Sequence, residues 1–392
     1  MSFVVAFNRD RDSYHAARAF AEVGQLRRFV TDYYAKAWPV QLPGLQHRSA
    51  ESVPPSLVTP SLQALLRQLP YEALRRVGPV DFPSHAVEGA LGRTAARVAR
   101  QNPDADLFLY SGSAAQAFAG PSTGRRILFQ YHPSPSFIEE TMRTVDELGS
   151  ARPWTPEAEV DSPAMQARHL QETSLADAVV CASGFTRQGL LASGVPAERI
   201  SVVPYGCPEP LPLAPVEPTR TCRFLFVGQG VQRKGLHILL EAWRRARLPG
   251  ARLRIVASRL DPQMEDFARG LTNVQITPRV SREELRRLMA EADTFVLPSL
   301  VEGFGLVLGE ALSSGARLIA SDNTGLADLP LDPAVKTVVR AGRVEPLVEA
   351  LRQARETFEP RRAYRELCVA EAAAHSWAVF RQGVRDAAGV AS

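Results

Sequence analysis

Lysine is almost missing from this chain: of 46 basic residues among 392, only Lys36, Lys234 and Lys336 are not arginine. A lysine inside a functional motif therefore stands out. Cysteine is scarce too, with Cys181, Cys207, Cys222 and Cys368 scattered and no Cys-x-x-Cys pair, which argues against a disulfide framework or a zinc site and for reduced, buried thiols. No stretch reaches the run of about 18 apolar residues that a membrane-spanning helix requires. Blocks of like charge are also absent. The net charge of +4 arises in the second half, where 26 Lys+Arg face 21 Asp+Glu, against 20 and 21 over residues 1–212; no arm for nucleic acid follows from that balance. Residues 62–100 hold six arginines and three acids, which fits a solvated helix face or a weak peripheral contact with an anionic membrane surface. The opening MSFVVAFNRDRD has no basic leader and reads as a first strand, not a signal peptide. The expected location is the cytoplasm, with the inner face of the membrane as the place of any such contact.

What is present is a protein of globular composition, 45% hydrophobic and 22% charged, long enough for two cores. Short apolar runs alternate with helical patterns from end to end: FVVAF, RRFVTD, DLFLY, RILFQY, AVVCAS and ISVVPY, then RFLFVG, RLRIVA, VQITPR, TFVLP and RLIAS. Strands apolar on both faces, separated by crossover-length segments, predict parallel α/β sheets. GLHILLEAWRRA places Leu236, Leu239, Leu240 and Trp243 on one helical face, a helix laid on a sheet. Between the two series, residues 207–222 carry five prolines, which can form neither helix nor central strand and read as an interdomain linker. The expected domains are 1–212 with a returning helix at 375–392, and 213–374. Residues 37–60 and 142–165 lack periodicity and are rich in Pro and Ser; they shape an acceptor pocket or are plain surface loops.

In parallel α/β domains ligands collect beyond the carboxyl ends of strands, where loops lead into helix N-termini. TFVLPSLVEGFGLVLGEAL has that order, a strand, a loop with Glu302, glycines at 303 and 305, then a helix containing Glu310. The glycines let backbone N–H groups approach a diphosphate, and a carboxylate, which only accepts, suits sugar hydroxyls. The competing reading makes Glu302 a helix-dipole residue and Glu310 a solvated one. A second strand and loop follow, with Asn323, Thr324 and Gly325, and the domain opens with FLFVGQGVQRKGLHILL, where Gly228 and Gly230 end a strand and Lys234 precedes a helix. Lys234 offers a compact point charge for a diphosphate in a chain that otherwise writes arginine. The spacing is neither GxGxxG nor a P-loop. Asp104 and Asp106, in NPDADLFLY, look like a metal-binding DxD but introduce a strand, and no catalytic metal is expected.

The segment from Glu302 through GFGLVLG to Glu310, followed by ALSSGARLIASDNTG and preceded by GQGVQRKG, resembles the donor site of retaining GT-B glycosyltransferases of the family-4 type over about 170–375. ILFQYHPSP is similar to the strand whose final histidine, His132 here, faces the transferred sugar in that family. The resemblance implies two Rossmann-like domains facing across a cleft, a UDP or GDP sugar as substrate, a hydroxyl acceptor and no resident cofactor. It implies Glu302 on hydroxyls of the donor sugar, Glu310 on the ribose, and Lys234 with Arg233 on the diphosphate. Gly228, Gln229, Gly303, Phe304, Gly305 and Leu306 would line that site, with Thr324 and Gly325 nearby. In HSWAVFRQGVRDAAGV, Ser376 is placed to cap a last helix, and the resemblance implies that this helix crosses back to the first domain. Two departures stand out: Gln229 where the family has arginine, and a first loop, NRDRDSYH, without glycine. In that loop Asp12 or Ser13 is placed to cap a helix, leaving Arg9 and Arg11 to meet an anion or to form a solvated turn. Rival readings are a nucleotide-sugar epimerase or phosphorylase, and a binding subunit without turnover.

Overall fold

The computed structural model describes residues 1–10, 12–38, 42, 44–74, 84–148, 163–210, 220–278, 280–359 and 363–390. Its strands form two wholly parallel sheets. The first contains β1 (Phe3–Ala6), β2 (Leu26–Thr31), β3 (Val58–Pro60), β4 (Asp106–Tyr110), β5 (Arg126–Gln130), β6 (Ala178–Cys181) and β7 (Ile200–Val202), in the order β3-β2-β1-β4-β5-β6-β7. The second contains β8 (Cys222–Gly230), β9 (Ala251–Leu260), β10 (Val274–Thr277), β11 (Thr294–Leu297), β12 (Arg317–Ser321) and β13 (Lys336–Val339), in the order β10-β9-β8-β11-β12-β13.

Around the first sheet lie α1 (His15–Ala21), α2 (Leu62–Leu74), α3 (Ser84–Gln101), α4 (Ala115–Phe118), α5 (Pro135–Val145), α6 (Pro163–Leu175) and α7 (Gly184–Ala192). Around the second lie α8 (Leu236–Ala246), α9 (Pro262–Arg269), α10 (Arg282–Glu291), α11 (Leu306–Ser313), α12 (Val344–Glu356) and α13 (Tyr364–Ala374), and the chain closes with α14 (Trp377–Ala387). Every residue of β1, β4 and β11 is buried, as strands covered on both faces must be. All eleven apolar runs read from the sequence contain strands. β3 and β13 were not among them: both are edge strands, half-covered, so neither needs a continuous apolar run, and Pro60 is tolerated at such an edge. On α8, Leu236, Leu239, Leu240 and Trp243 are buried, while Arg244 and Arg245 both pair with Glu241.

The chain crosses between domains twice, and the two crossings run together. Cys207 forms a parallel bridge with Ser376, its N–H donating to His375 O at 2.8 Å. A Cβ on Gly206 would come within 2.4 Å of the Trp377 backbone; only glycine lets the crossings touch. Ser376 stands at the N-cap of α14, but its hydroxyl makes no cap bond. Beyond it α14 lies on the first domain, with Trp377 stacked on His15 (4.2 Å, 11°) and Arg381 donating to Glu22 at 2.7 Å. Most of the proline-rich linker, 211–219, and with it the boundary near 213, lies outside the described residues. All four cysteines are buried thiols. Asp106 is buried and accepts from Arg125 N at 2.8 Å, a structural use of the DxD-like pair.

Candidate active site

Strand order reverses once in each sheet, between β1 and β4 and between β8 and β11. Loops leave in opposite directions at such points and open a crevice at the carboxyl ends of the strands. The two stretches singled out by sequence, GQGVQRKG and LVEGFG, follow β8 and β11 and therefore flank the second crevice.

They interlock there through a glycine that sequence reasoning passed over. Gly235, which opens α8, has φ +68°, and a Cβ on it would lie 1.9 Å from Pro298 O. Glycine alone allows the 232–234 turn to rest on the end of β11. Leu300 N donates to Arg233 O at 2.8 Å and the Arg233 guanidinium to Val301 O at 3.3 Å. The Lys234 ammonium then meets the Glu302 carboxylate in a direct ion pair. Burial opposes ionisation of Glu302, but Lys234, Arg233 and His132 outweigh it and pull the carboxyl down to about 2. Glu302 is thus an ionised group that only accepts. It is also only 9% exposed.

His132 reaches this point from the first domain, one residue beyond Tyr131 at the end of β5. Contact between the domains centres on Gly303, where a Cβ would sit 2.0 Å from Tyr131 O. Its carbonyl accepts from Ser183 Oγ (2.5 Å) and Thr186 Oγ1 (3.2 Å), and Ser183 also caps α7 by accepting from Thr186 N. Asp328, from the second domain, accepts from Gly184 N at 2.8 Å. A serine before a helix is a readable cap signal, but its second partner, 120 residues away, is not.

The remaining predicted residues fall into two groups. Gly228 and the exposed Gln229 lie near the end of β8, Gly305 opens α11 with φ +91°, and half-buried Leu306 begins it. Glu310, exposed on α11, has its carboxyl raised by the surrounding protein, with Arg282 and Arg286 of α10 pulling the other way. Thr324, Gly325 and Phe304, by contrast, brace the site from within. Thr324 is fully buried and donates to Ser321 O at 2.7 Å. Gly325 N donates to Phe304 O at 2.8 Å, and a Cβ on Gly325 would press to 2.0 Å of the Phe304 ring. That ring packs edge-on against Tyr205 of the first domain at 5.6 Å.

At the first crevice the described charged side chains are bonded within their own domain. Asp12 takes a hydrogen bond from Tyr110 OH (2.6 Å) across β1 and β4, and from Tyr14 N and Ala16 N at the start of α1. Asp12, not Ser13, thus serves the first turn, and burial raises its carboxyl despite those bonds. Arg9 N donates to Asp32 (2.8 Å), which also receives buried Arg48 (2.6 Å). Arg9, Ser13 and Tyr14 all have positive φ, the conformation for which glycine is the cheap choice. Arg11 lies outside the described residues.

Residues 221–357 match the family described as Glycosyl transferases group 1. Over those residues the chain is similar to a group 1 glycosyl transferase domain. That domain includes both halves of the second crevice and every second-domain residue singled out above. A D-inositol 3-phosphate glycosyltransferase of Nocardia farcinica is 30% identical over 257 residues, 58% of this chain and 56% of that one. The amylovoran biosynthesis glycosyltransferase AmsK of Erwinia amylovora is 29% identical over 160 residues, 36% of this chain and 38% of that one. The chain thus spans less than two thirds of the length of these curated relatives. Among solved structures, sucrose-phosphate synthase of Thermosynechococcus elongatus aligns with TM-score 0.64 at 16% identity over 97% of this chain and 96% of that one. WaaG, a glycosyltransferase of lipopolysaccharide biosynthesis, aligns with TM-score 0.62 at 16% identity over 98% and 99%. The two parallel-sheet domains thus share the GT-B fold of these structures.

Proposed function

We propose that the protein transfers a sugar, with retention at the anomeric carbon, from a UDP or GDP sugar to a hydroxyl acceptor in the synthesis of a cell-surface polysaccharide or other glycoconjugate. The observation that carries this reading is the meeting of Lys234, Arg233 and His132 with ionised Glu302 at the crevice of a group 1 domain. The ammonium and the carboxylate neutralise one another. An arriving donor divides them, its diphosphate taking Lys234 and its sugar hydroxyls taking Glu302. As the bond to the anomeric carbon breaks, negative charge grows on the leaving diphosphate, and a fixed cation beside it favours the transition state over the bound substrate. The same phosphate oxygen is then placed to accept the acceptor's proton. The reading divides the chain into an acceptor domain, 1–212 with 375–392, and a donor domain, 213–374. It assigns Glu310 to the ribose and no resident cofactor.

A peripheral membrane contact fits the same picture. On α2, Leu62, Leu66 and Leu74 are more than half exposed beside Arg67, an apolar and basic surface suited to an anionic bilayer; no helix among the described residues is long and apolar enough to cross one. The deciding experiment is thermal stabilisation by a panel of sugar nucleotides, followed by incubation of the stabilising donor alone, with phosphate, or with hydroxyl acceptors. Glycoside formed only with an acceptor upholds the proposal. Product from donor alone would identify an epimerase, dependence on inorganic phosphate a phosphorylase, and binding without turnover a silent subunit.

A further inference from the structure

Where α5 ends, residues 145–148 leave the first domain's helical layer and seat on the carboxyl edge of the second sheet. Asp146, just past α5, has a fully buried carboxylate. One oxygen accepts from Gln232 Nε2 (2.7 Å) and lies 2.8 Å from His237 Nε2, and the other accepts from Leu148 N (2.9 Å). The His237 side chain is 1% exposed. Gln232 begins the turn that ends in Lys234, and His237 is the second residue of α8. Asp146 therefore grips the turn on both sides of Lys234. The grip is embedded in a wider seat: a Cβ on Gly342 would come within 2.1 Å of Val145 O, and Glu147 accepts from Val344 N at 2.8 Å. Along α5, Ile138 packs in one apolar cluster with Val301, the neighbour of Glu302. A buried carboxylate is costly unless well partnered, and both side-chain partners of this one belong to the other domain.

We propose that Asp146 is a positioning residue, supplied by the first domain, that fixes the 232–234 turn and so holds Lys234 and Arg233 where the donor diphosphate is met. Donor binding is thereby tied to the seating of one domain on the other. The inference rests on the donor-site reading above. Without Asp146, Gln232 and His237 lose their common acceptor, and the turn keeps its contacts with the end of β11 but not this hold from the first domain.

Calorimetry with UDP, GDP, uridine and guanosine tests this on the full chain and on D146A, D146N, K234A and D146A/K234A. D146A is expected to weaken the bound nucleoside diphosphate about tenfold while changing nucleoside affinity less than about twofold, the charge-assisted contact being the one lost. D146N, which keeps an acceptor oxygen, recovers part of the loss. K234A alone costs about tenfold but less than about threefold on top of D146A, because coupled residues are not additive. Hydrogen exchange without ligand is expected to quicken at 232–237 in D146A and to stay unchanged across β11. Wild-type diphosphate affinity in D146A, additive losses, or exchange at 232–237 that does not quicken would overturn the inference, as would a general rise in exchange across β8 and β11. A wild-type protein that binds none of the four probes defeats the donor-site reading instead, and the exchange data then decide whether Asp146 fixes the turn.

Discussion

The two crevices where strand order reverses are built from similar residues and arranged to opposite ends. In the first, Asp32 and Arg48 are buried against each other with 0% and 2% of their side chains exposed, and Asp12 is occupied by Tyr110 and the first turn of α1. In the second, the Lys234 and Glu302 side chains keep 17% and 11% exposure, and the pair faces the other domain. A charge at the carboxyl edge of a parallel sheet is therefore no sign of a ligand by itself. What distinguishes the crevices is whether the charges are sealed inside their own domain or paired where they keep some exposure and face the other domain.

That contrast can be broken most directly in the first crevice. Asp32→Ala should destabilise the protein by about 3–5 kcal/mol, since it strands a buried guanidinium, and a chemical denaturation midpoint close to wild type would show that this crevice is not structural. Glu302→Gln should cost less stability, about 1–3 kcal/mol for the lost charge partner, while reducing turnover at least about a hundredfold; retained turnover would remove the second crevice from the chemistry. Acid titration sharpens the same point. The folded carboxyl of Glu302 lies at about 2 against an ordinary 4.5, so its contribution is complete above about pH 4.5 and is lost as pH falls towards 2. Asp12 is shifted upward, so its contribution is present at low pH and fades as pH rises. Glu302→Gln should flatten stability loss between pH 4.5 and 2, and an unchanged acid profile would count against the ion pair. Lys234→Ala should weaken a nucleoside diphosphate about tenfold more than the nucleoside; equal losses would make the lysine structural. The smallest effect belongs to Ser183→Ala, about 1 kcal/mol from one cap and one interdomain hydrogen bond, measured as a shift in Tm.

Much of this was legible in the sequence because it is carried by short-range patterns. Central strands need apolar residues on both faces, so the series from FVVAF to RLIAS stood out, whereas edge strands β3 and β13 had no such need. Lys234 and Glu302 were readable from rarity and from their places after strands. Their ion pair was not, because it joins residues 68 positions apart. Thr324 and Gly325 were readable as a hydroxyl-and-glycine loop, but not that the hydroxyl bonds to Ser321 O or that the glycine makes room for Phe304. Asp146 lies in a stretch without periodicity, and nothing local marks its partner in α8.

By itself the sequence determined two parallel α/β layers, the order of their central strands along the chain, and which loops carry acid, lysine and glycine, since each follows from alternation, turn chemistry or residue type over a few positions. Only the tertiary structure decided which charges are sealed inside a domain and which pair at a face turned towards the other one, and that Gly235 and Gly303 are sites of backbone contact at less than the width of a methyl group. The reason is distance: electrostatic and steric partners are chosen by packing in space, and neither a buried charge nor a missing Cβ announces its neighbour in the local chain.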